Sequence, residues 1–329
     1  MPVIQSQFRP AWWLRGAHAQ TLWSNFFRIK PRLVIEWQRV ELPDGDFIDL
    51  AWSGPEEGRT VLLLHGLEGS ISSDYTVGLM RELNRRGYRA CLMHFRGCSH
   101  EPNRLPEWYH SGKSSDPQLI LEFLRDQMDI EVYAAVGFSL GGNVLLKWLG
   151  EQGASASLKR AAAMSVPFRL EQSAQRMNQG LSRLYQRHLV GSMRRSYKEK
   201  FSSAPSPLDI DIDALNTFWQ FDDQVTAPLN GFKGADDYYT RASSRQFIPK
   251  IHVPTLILHA VDDPFMHSHT PPRADELPEN VWLELPEHGG HVGFISGMIP
   301  GLANYWGEKR LAEWIDSAAY GSDAPLPWN

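Results

Sequence analysis

Cysteine is scarce. The 329 residues hold two, Cys91 and Cys98, one in an apolar run and one in the loop after it. That pair builds no disulfide framework, so a reducing compartment, the cytoplasm, is the expected location. Apolar runs are short as well. None approaches the ~18 uninterrupted residues of a spanning helix. At the start, Arg9, Arg15 and Gly16 interrupt every stretch that could serve as a secretory signal. Charge of one sign is also lacking: the net charge is −5, and no basic face of the kind nucleic acid requires is expected. No Gly-x-x-x-x-Gly-Lys-Ser/Thr run supports a phosphate loop, and no HExxH or CxxC spacing occurs. His252, His259, His267 and His269 cluster in sequence around Asp262 and Asp263 without metal-ligand spacing. No metal and no cofactor is expected. Internal repeats and low-complexity segments are missing too.

What remains is ordinary globular composition, 42% hydrophobic and 22% charged. The 12 tryptophans serve cores first and apolar pockets second. The length suits two average domains of ~150 residues, or one large α/β domain with an insertion. The aromatic-rich start (Trp12, Trp13, Leu14, Leu22, Trp23, Phe26, Phe27) has two readings. Packing on its own domain is favoured over peripheral contact with a membrane.

Residues 1–32 read as an arm. Residues 34–42 and 47–52 flank Pro43-Asp44-Gly45-Asp46, a strong hairpin turn. Residues 60–65 form a continuous apolar run bounded by glycines, which suits a central parallel strand. Helical spacing follows over 75–86, closed by Gly87 as a C-cap. A strand is expected at 88–95. A helix should run from Ser115 to about Met128, with a capping side chain and Pro117 in its first turn. Strands are expected at 132–138 and 160–166. Residues 168–248 then lose the alternation and read as an inserted helical cap, with helices over 169–190 and 209–222. Strands resume at 254–260 and 281–285, and a helix over 305–319 precedes a loose tail, 321–329. Strand followed by helix, repeated, means a mostly parallel, eight-stranded sheet with helices on both faces, in one domain of 329 residues.

The most informative stretch is Gly137-Phe138-Ser139-Leu140-Gly141, between a β-prone run and a helical pattern. It reads as a nucleophile elbow. The serine must sit on a sharp turn to expose its hydroxyl. Gly137 and Gly141 remove the Cβ atoms that would collide there. A serine hydroxyl needs a base, and the base needs a carboxylate. In this arrangement the chain order is Ser, acid, His. The last histidine-bearing loop is Pro286-Glu287-His288-Gly289-Gly290-His291. Both histidines are candidates, and His291 is favoured. The acid follows the strand at 254–260, where Asp263-Pro264-Phe265 favours Asp263 over Asp262. Leu140 N–H should supply one oxyanion donor and Leu67, in His65-Gly66-Leu67-Glu68-Gly69, the other. His65 reads as the residue that holds that loop, and Arg96-Gly97-Cys98-Ser99 as a structural loop.

Together these motifs resemble the α/β-hydrolase superfamily. Within it the chain resembles the YheT-like esterase subfamily, related to yeast medium-chain fatty-acid ethyl-ester synthases and animal abhydrolase-domain lipases. The likeness rests on Trp13-Leu14-Arg15-Gly16-Ala17-His18-Ala19-Gln20-Thr21, on the loops at 65–69, 95–99 and 109–112, on the elbow, and on His288–Phe294. Gly231-Phe232, Asp237-Tyr238-Tyr239, Ser243, Pro254 and Asp262-Asp263 also share the pattern. The resemblance implies Ser139, Asp263 and His291 as a triad, and acyl-ester chemistry on short to medium chains. The animal relatives carry a membrane anchor, and none is visible here. The expected function is a serine carboxylesterase for small-molecule esters with an apolar acyl chain. Acyl transfer to an alcohol is the alternative enzyme, and a non-catalytic ligand-binding protein on the same fold is the alternative of another class.

Overall fold

The computed structural model describes residues 2–202 and 205–317. The chain starts with strand β1 (Val3–Ile4), helix α1 (Ala17–Phe27) and the hairpin β2 (Glu36–Glu41) and β3 (Phe47–Ser53). Alternation then sets in: β4 (Thr60–Leu64), α2 (Asp74–Arg85), β5 (Arg89–Met93), α3 (Ser115–Met128), β6 (Val132–Phe138), α4 (Leu140–Gln152) and β7 (Arg160–Met164). Five helices follow β7: α5 (Leu170–Met177), α6 (Ser182–Lys200), α7 (Phe218–Phe221), α8 (Ala227–Leu229) and α9 (Ala235–Ala242). Strands β8 (Thr255–Leu258) and β9 (Val281–Glu284) complete the main sheet. A small antiparallel pair, β10 (Ile295–Ser296) and β11 (Asn304–Tyr305), leads into α10 (Trp306–Asp316). Residues 318–319 of the expected last helix, and the expected loose tail, lie outside the described residues.

The sheet has nine strands in the order β1-β9-β8-β7-β6-β4-β5-β3-β2, with antiparallel pairing only where β3 meets β2 and β5. The sequence pattern predicts eight. The ninth, β1, pairs only Val3 and Ile4 with Leu283 and Glu284, too short a run for any period to register. Strand β4 shows why the sheet sits where it does. All five of its residues are buried. Successive side chains of a strand point to opposite faces. Leu62 and Leu64 therefore join the core under α3 and α4, whereas Val61 and Leu63 join the core under α2 and α10. Each such leucine contributes roughly 1.5–3 kcal/mol by leaving water.

Local signals explain most differences from the sequence reading. The helix expected over 169–190 is two helices, because Gly180 adopts φ +51 between α5 and α6. The one expected over 209–222 reduces to a 3₁₀ turn at Ile212–Ala214 and α7, which starts at a capping box between Thr217 and Gln220. The start of α3 is not capped by a side chain. Asp116 instead pairs with Arg96, whose Nε and Nη2 both lie 2.9 Å from its carboxylate. This buried fork ties the loop after β5 to α3, and Arg96 reaches Asp44 in the β2–β3 turn at 2.7 Å as well.

The aromatic start divides. Trp13 and Trp23 pack on each other and on the buried Ala11, Leu14 and Ile295, whereas Trp12, Phe26 and Phe27 remain exposed. Among the described residues no helix is long and apolar enough to cross a membrane.

Candidate active site

The carboxyl ends of β4, β6, β8 and β9 carry the loops that hold Leu67, Ser139, Asp263 and His291. Ser139 stands between β6 and α4 at φ 50 and ψ −117, a strained conformation costing roughly 1–3 kcal/mol. Its N–H donates to Met164 O at 2.8 Å. The turn closes because its flanks are bare. A Cβ on Gly141 would lie 2.4 Å from the carbonyl oxygens of both Leu64 and His65, and one on Gly137 would lie 2.5 Å from Gly141 O.

His291 Nε2 lies 3.0 Å from Ser139 Oγ, and His291 Nδ1 lies 2.8 Å from Asp263 Oδ2. The second oxygen of Asp263 accepts the Phe265 N–H at 2.8 Å. The Phe265 ring covers the imidazole face, 4.0 Å away and 6° from parallel. The two candidate acids are thus separated. Asp262 accepts the Gly290 N–H at 2.9 Å and faces His288 at 3.3 Å, on the exposed side of the same loop.

The loop that carries His291 is clamped from three directions. His291 N–H donates to Thr21 Oγ1 at 2.9 Å, Val292 N–H to Ser165 Oγ at 3.0 Å, and Ile295 N–H to Gln20 Oε1 at 2.6 Å. Thr21, Gln20 and Ser165 escape a reading for chemistry, because a supporting hydroxyl or amide has no motif of its own. The available signal is Gln20-Thr21 inside the Trp13–Thr21 run that carries the family likeness, and Gln20 is fully buried on α1.

The loop after β4 is equally constrained. Gly66 N–H donates to Tyr75 Oη and Glu68 N–H to Tyr109 Oη, both at 2.9 Å. Tyr109 Oη in turn donates to Glu68 Oε1, while Ser196 of α6 donates to Glu68 Oε2. Among the described residues the N–H groups of Leu67 and Leu140 have no acceptor. A Cβ on Gly66 would stand 3.4 Å from Ser139 Cβ, so this loop runs directly beside the serine. His65 is buried under it. Its Nε2 accepts the Phe95 N–H at 3.1 Å, so the ring proton sits on Nδ1 and is donated to Gly66 O at 2.7 Å. Burial pushes His65 down to about 3, which keeps it neutral.

Two spaces meet at Ser139. One is a largely apolar cavity of about 110 Å³ between the body and the helices after β7, walled by Trp108, Leu170, Met177, Met193 and Phe218. At its edge Asp222 accepts from Thr226 and Tyr239, and enclosure pushes its carboxyl up to about 6. The other is an open groove of about 820 Å³ lined by α1, the loop after β4, the start of α6 and His291. Of the histidines that cluster in sequence, His259 is buried against Phe168, and His267 stacks on His269.

The alpha/beta hydrolase fold profile matches residues 59–297. YheT of Escherichia coli (strain K12) is 40% identical over 94% of this chain and 93% of its own length. Phospholipase ABHD3 of Bos taurus is 28% identical over 92% of this chain and 77% of its own. Among solved structures, the Pyrococcus furiosus esterase Pf2001 superposes with a TM-score of 0.54 at 16% identity, over 88% of this chain and 98% of its own, a likeness of fold. On the profile and on the identity to YheT, the chain belongs to the alpha/beta hydrolase fold family.

Proposed function

We propose that this protein hydrolyses carboxylic esters of short- to medium-chain apolar acids, with Ser139 as nucleophile, His291 as base and Asp263 as the carboxylate that orients it. The observation that carries the reading is the unbroken pair of hydrogen bonds from Ser139 Oγ through His291 to Asp263, set between an apolar cavity and an open groove. His291 Nε2 takes the hydroxyl proton as Oγ attacks the ester carbonyl. The Leu67 and Leu140 N–H groups receive the developing oxyanion. The tetrahedral intermediate collapses, His291 returns the proton to the departing alcohol, and the acyl group stays on Oγ. Water then attacks with His291 again as base. Residues 168–248 act as the cap, and the cavity beneath them takes the acyl chain. The test is a fluorophosphonate probe with the adduct located by mass spectrometry. A single adduct on Ser139 is expected; a folded sample that stays unlabelled there rejects the proposal.

The two neighbouring carboxylates give a sharper check. Asp263→Asn keeps the shape but donates where it should accept, forcing the wrong imidazole tautomer, and is expected to lower kcat by on the order of 10⁴. Asp262→Asn retains an oxygen for the Gly290 N–H and is expected to lose less than about tenfold, the scale of one modest hydrogen bond. Steady-state kinetics on a short-chain ester reads both. A reversed ranking moves the assignment to Asp262.

A further inference from the structure

Large apolar side chains stand in solvent along the groove and on segments tied to its wall. At the end of α1, Phe26 is 71% exposed and Ile29, just beyond, is 93% exposed, with Phe27 between them also open. Across the groove Leu181 and Leu184 project from the start of α6, and at the β10–β11 tip Met298 and Ile299 do the same. These groups share one framework. Trp12 Nε1–H donates to Met298 O at 3.0 Å, joining the arm to the tip. Trp23 contacts both Trp13 and Phe27 through its ring, at 4.7 and 4.5 Å. His18 of α1 meets Tyr185 Oη of α6 at 3.0 Å across the groove. Phe26, Leu181 and Leu184 line the groove that opens on Ser139. Scattered exposed apolar residues are normal on any protein, but a set carried by connected segments, part of it lining a groove, marks an interaction surface.

The exposed charge next to this set in sequence is basic, and the two acids that line the groove are engaged, Glu68 by Tyr109 and Ser196 and Asp74 by Lys30. The chain is net −5, yet residues 2–35 hold Arg9, Arg15, Arg28, Lys30 and Arg32 and no acid. Arg28 is bound to Glu308, but Arg9, Arg15 and Arg32 are exposed and have no acidic partner among the described residues. Helix α6 carries six Lys and Arg residues against one Glu, and Arg183 and Arg187, beside Leu184, are exposed and likewise unpaired among the described residues. The span 295–305 carries no charge at all. Apolar and aromatic side chains fringed by cations complement a layer of anionic headgroups over an acyl boundary.

We propose that this face docks on the surface of an anionic lipid bilayer. Phe26, Phe27, Ile29, Met298 and Ile299 enter the boundary between headgroups and acyl chains. Arg15, Arg32, Arg183 and Arg187 face the lipid phosphates. The groove then opens onto the bilayer, and an ester lipid reaches Ser139 without passing through bulk water. The docking stands on the surface alone; what it delivers rests on the ester-hydrolase reading.

Co-sedimentation of the full chain with two vesicle preparations tests it, one of phosphatidylcholine alone and one of phosphatidylcholine mixed with phosphatidylglycerol. Partition onto the mixed vesicles is expected to exceed that onto the neutral ones by at least about tenfold and to fall as salt is raised. The double variants Phe27→Glu/Ile29→Glu and Arg183→Glu/Arg187→Glu should each lose this partition while hydrolysing a water-soluble short-chain ester at the wild-type rate, which also confirms that they fold. Ser139→Ala should partition like the wild type. No partition, equal partition onto both preparations, or full partition by the variants overturns the proposal. So does a chain that is dimeric in solution and made monomeric by Phe27→Glu/Ile29→Glu, because the face would then belong to a second copy. Intact partition with no hydrolysis rejects the ester-hydrolase reading and leaves the docking in place.

Discussion

Ser139→Ala is expected to lower kcat on a short-chain ester by on the order of 10⁶, about 8 kcal/mol of lost transition-state stabilisation. The size follows from how the three residues act. Removing the hydroxyl removes the bond-forming atom, and His291 and Asp263 then have no proton to handle. What remains is the ability of the cavity and the two N–H groups to bind an ester and polarise it, which is worth ~10³–10⁴ over water. The fold should not respond. Alanine meets the same backbone strain as serine at φ 50, the Ser139 N–H still reaches Met164 O, and His291 Nε2 is left facing the groove. Rate measurement beside a denaturation curve separates the two effects. A variant that folds and keeps more than about a hundredth of the activity removes Ser139 from the mechanism.

Acid should unfold this protein chiefly through its buried histidines. Four histidines are held neutral by burial: His65 and His110 are pushed down to about 3, and His94 and His259 to about 4, from an ordinary 6.5. A histidine whose folded pKa is depressed leaves the unfolded chain binding more protons between the two values. Stability is therefore complete above about 6.5 and declines as pH falls toward 4. Each of the four costs ~3 kcal/mol by pH 4. Two carboxyls act in the opposite sense. Burial raises Glu308 to about 7 and Asp222 to about 6, so each recovers roughly one histidine's worth as it gains its proton. The balance of about two histidines rivals the 5–15 kcal/mol that holds a typical domain together. Circular dichroism across a pH titration should show cooperative unfolding between about pH 5 and 4. His259→Met should move that midpoint down, since His259 is buried and its Nδ1 has no hydrogen-bond partner among the described residues. Stability that is flat from pH 7 to 4 would show that these rings are not held neutral.

The body of the fold was legible because its signals are local and redundant. Val61-Leu62-Leu63-Leu64 can only be a strand buried on both faces, and Gly87 ends the helix before it through a left-handed turn that a periodic pattern also predicts. Ser139 was legible for the same reason: a strand, a turn with two bare flanks and a helix lie within twenty residues. Contacts made between distant segments were not. Thr21 supports His291 from 270 positions away, and β1 exists only because Leu283 and Glu284 offer it an edge. Gly180 could have been seen as a break, but the apolar spacing on both sides of it imitates one long helix. Asp262 and Asp263 differ by one position in sequence and by a whole direction in space, and only the turn they occupy separates a loop anchor from the carboxylate that meets the imidazole.

The serine stands where an apolar cavity meets a larger groove, and that placement gives the proposed reaction a traffic rule. In that reaction the acyl half lies in the cavity while it is attached to Oγ. The alcohol half, and the water that must follow it, use the groove on the other side of the serine. Departure and arrival then share one doorway, the groove. An alcohol that re-enters before water does finds the acyl group still in place. Whether the catalyst releases an acid or rebuilds an ester is then decided by who comes through that doorway next, with the catalytic residues indifferent to the answer.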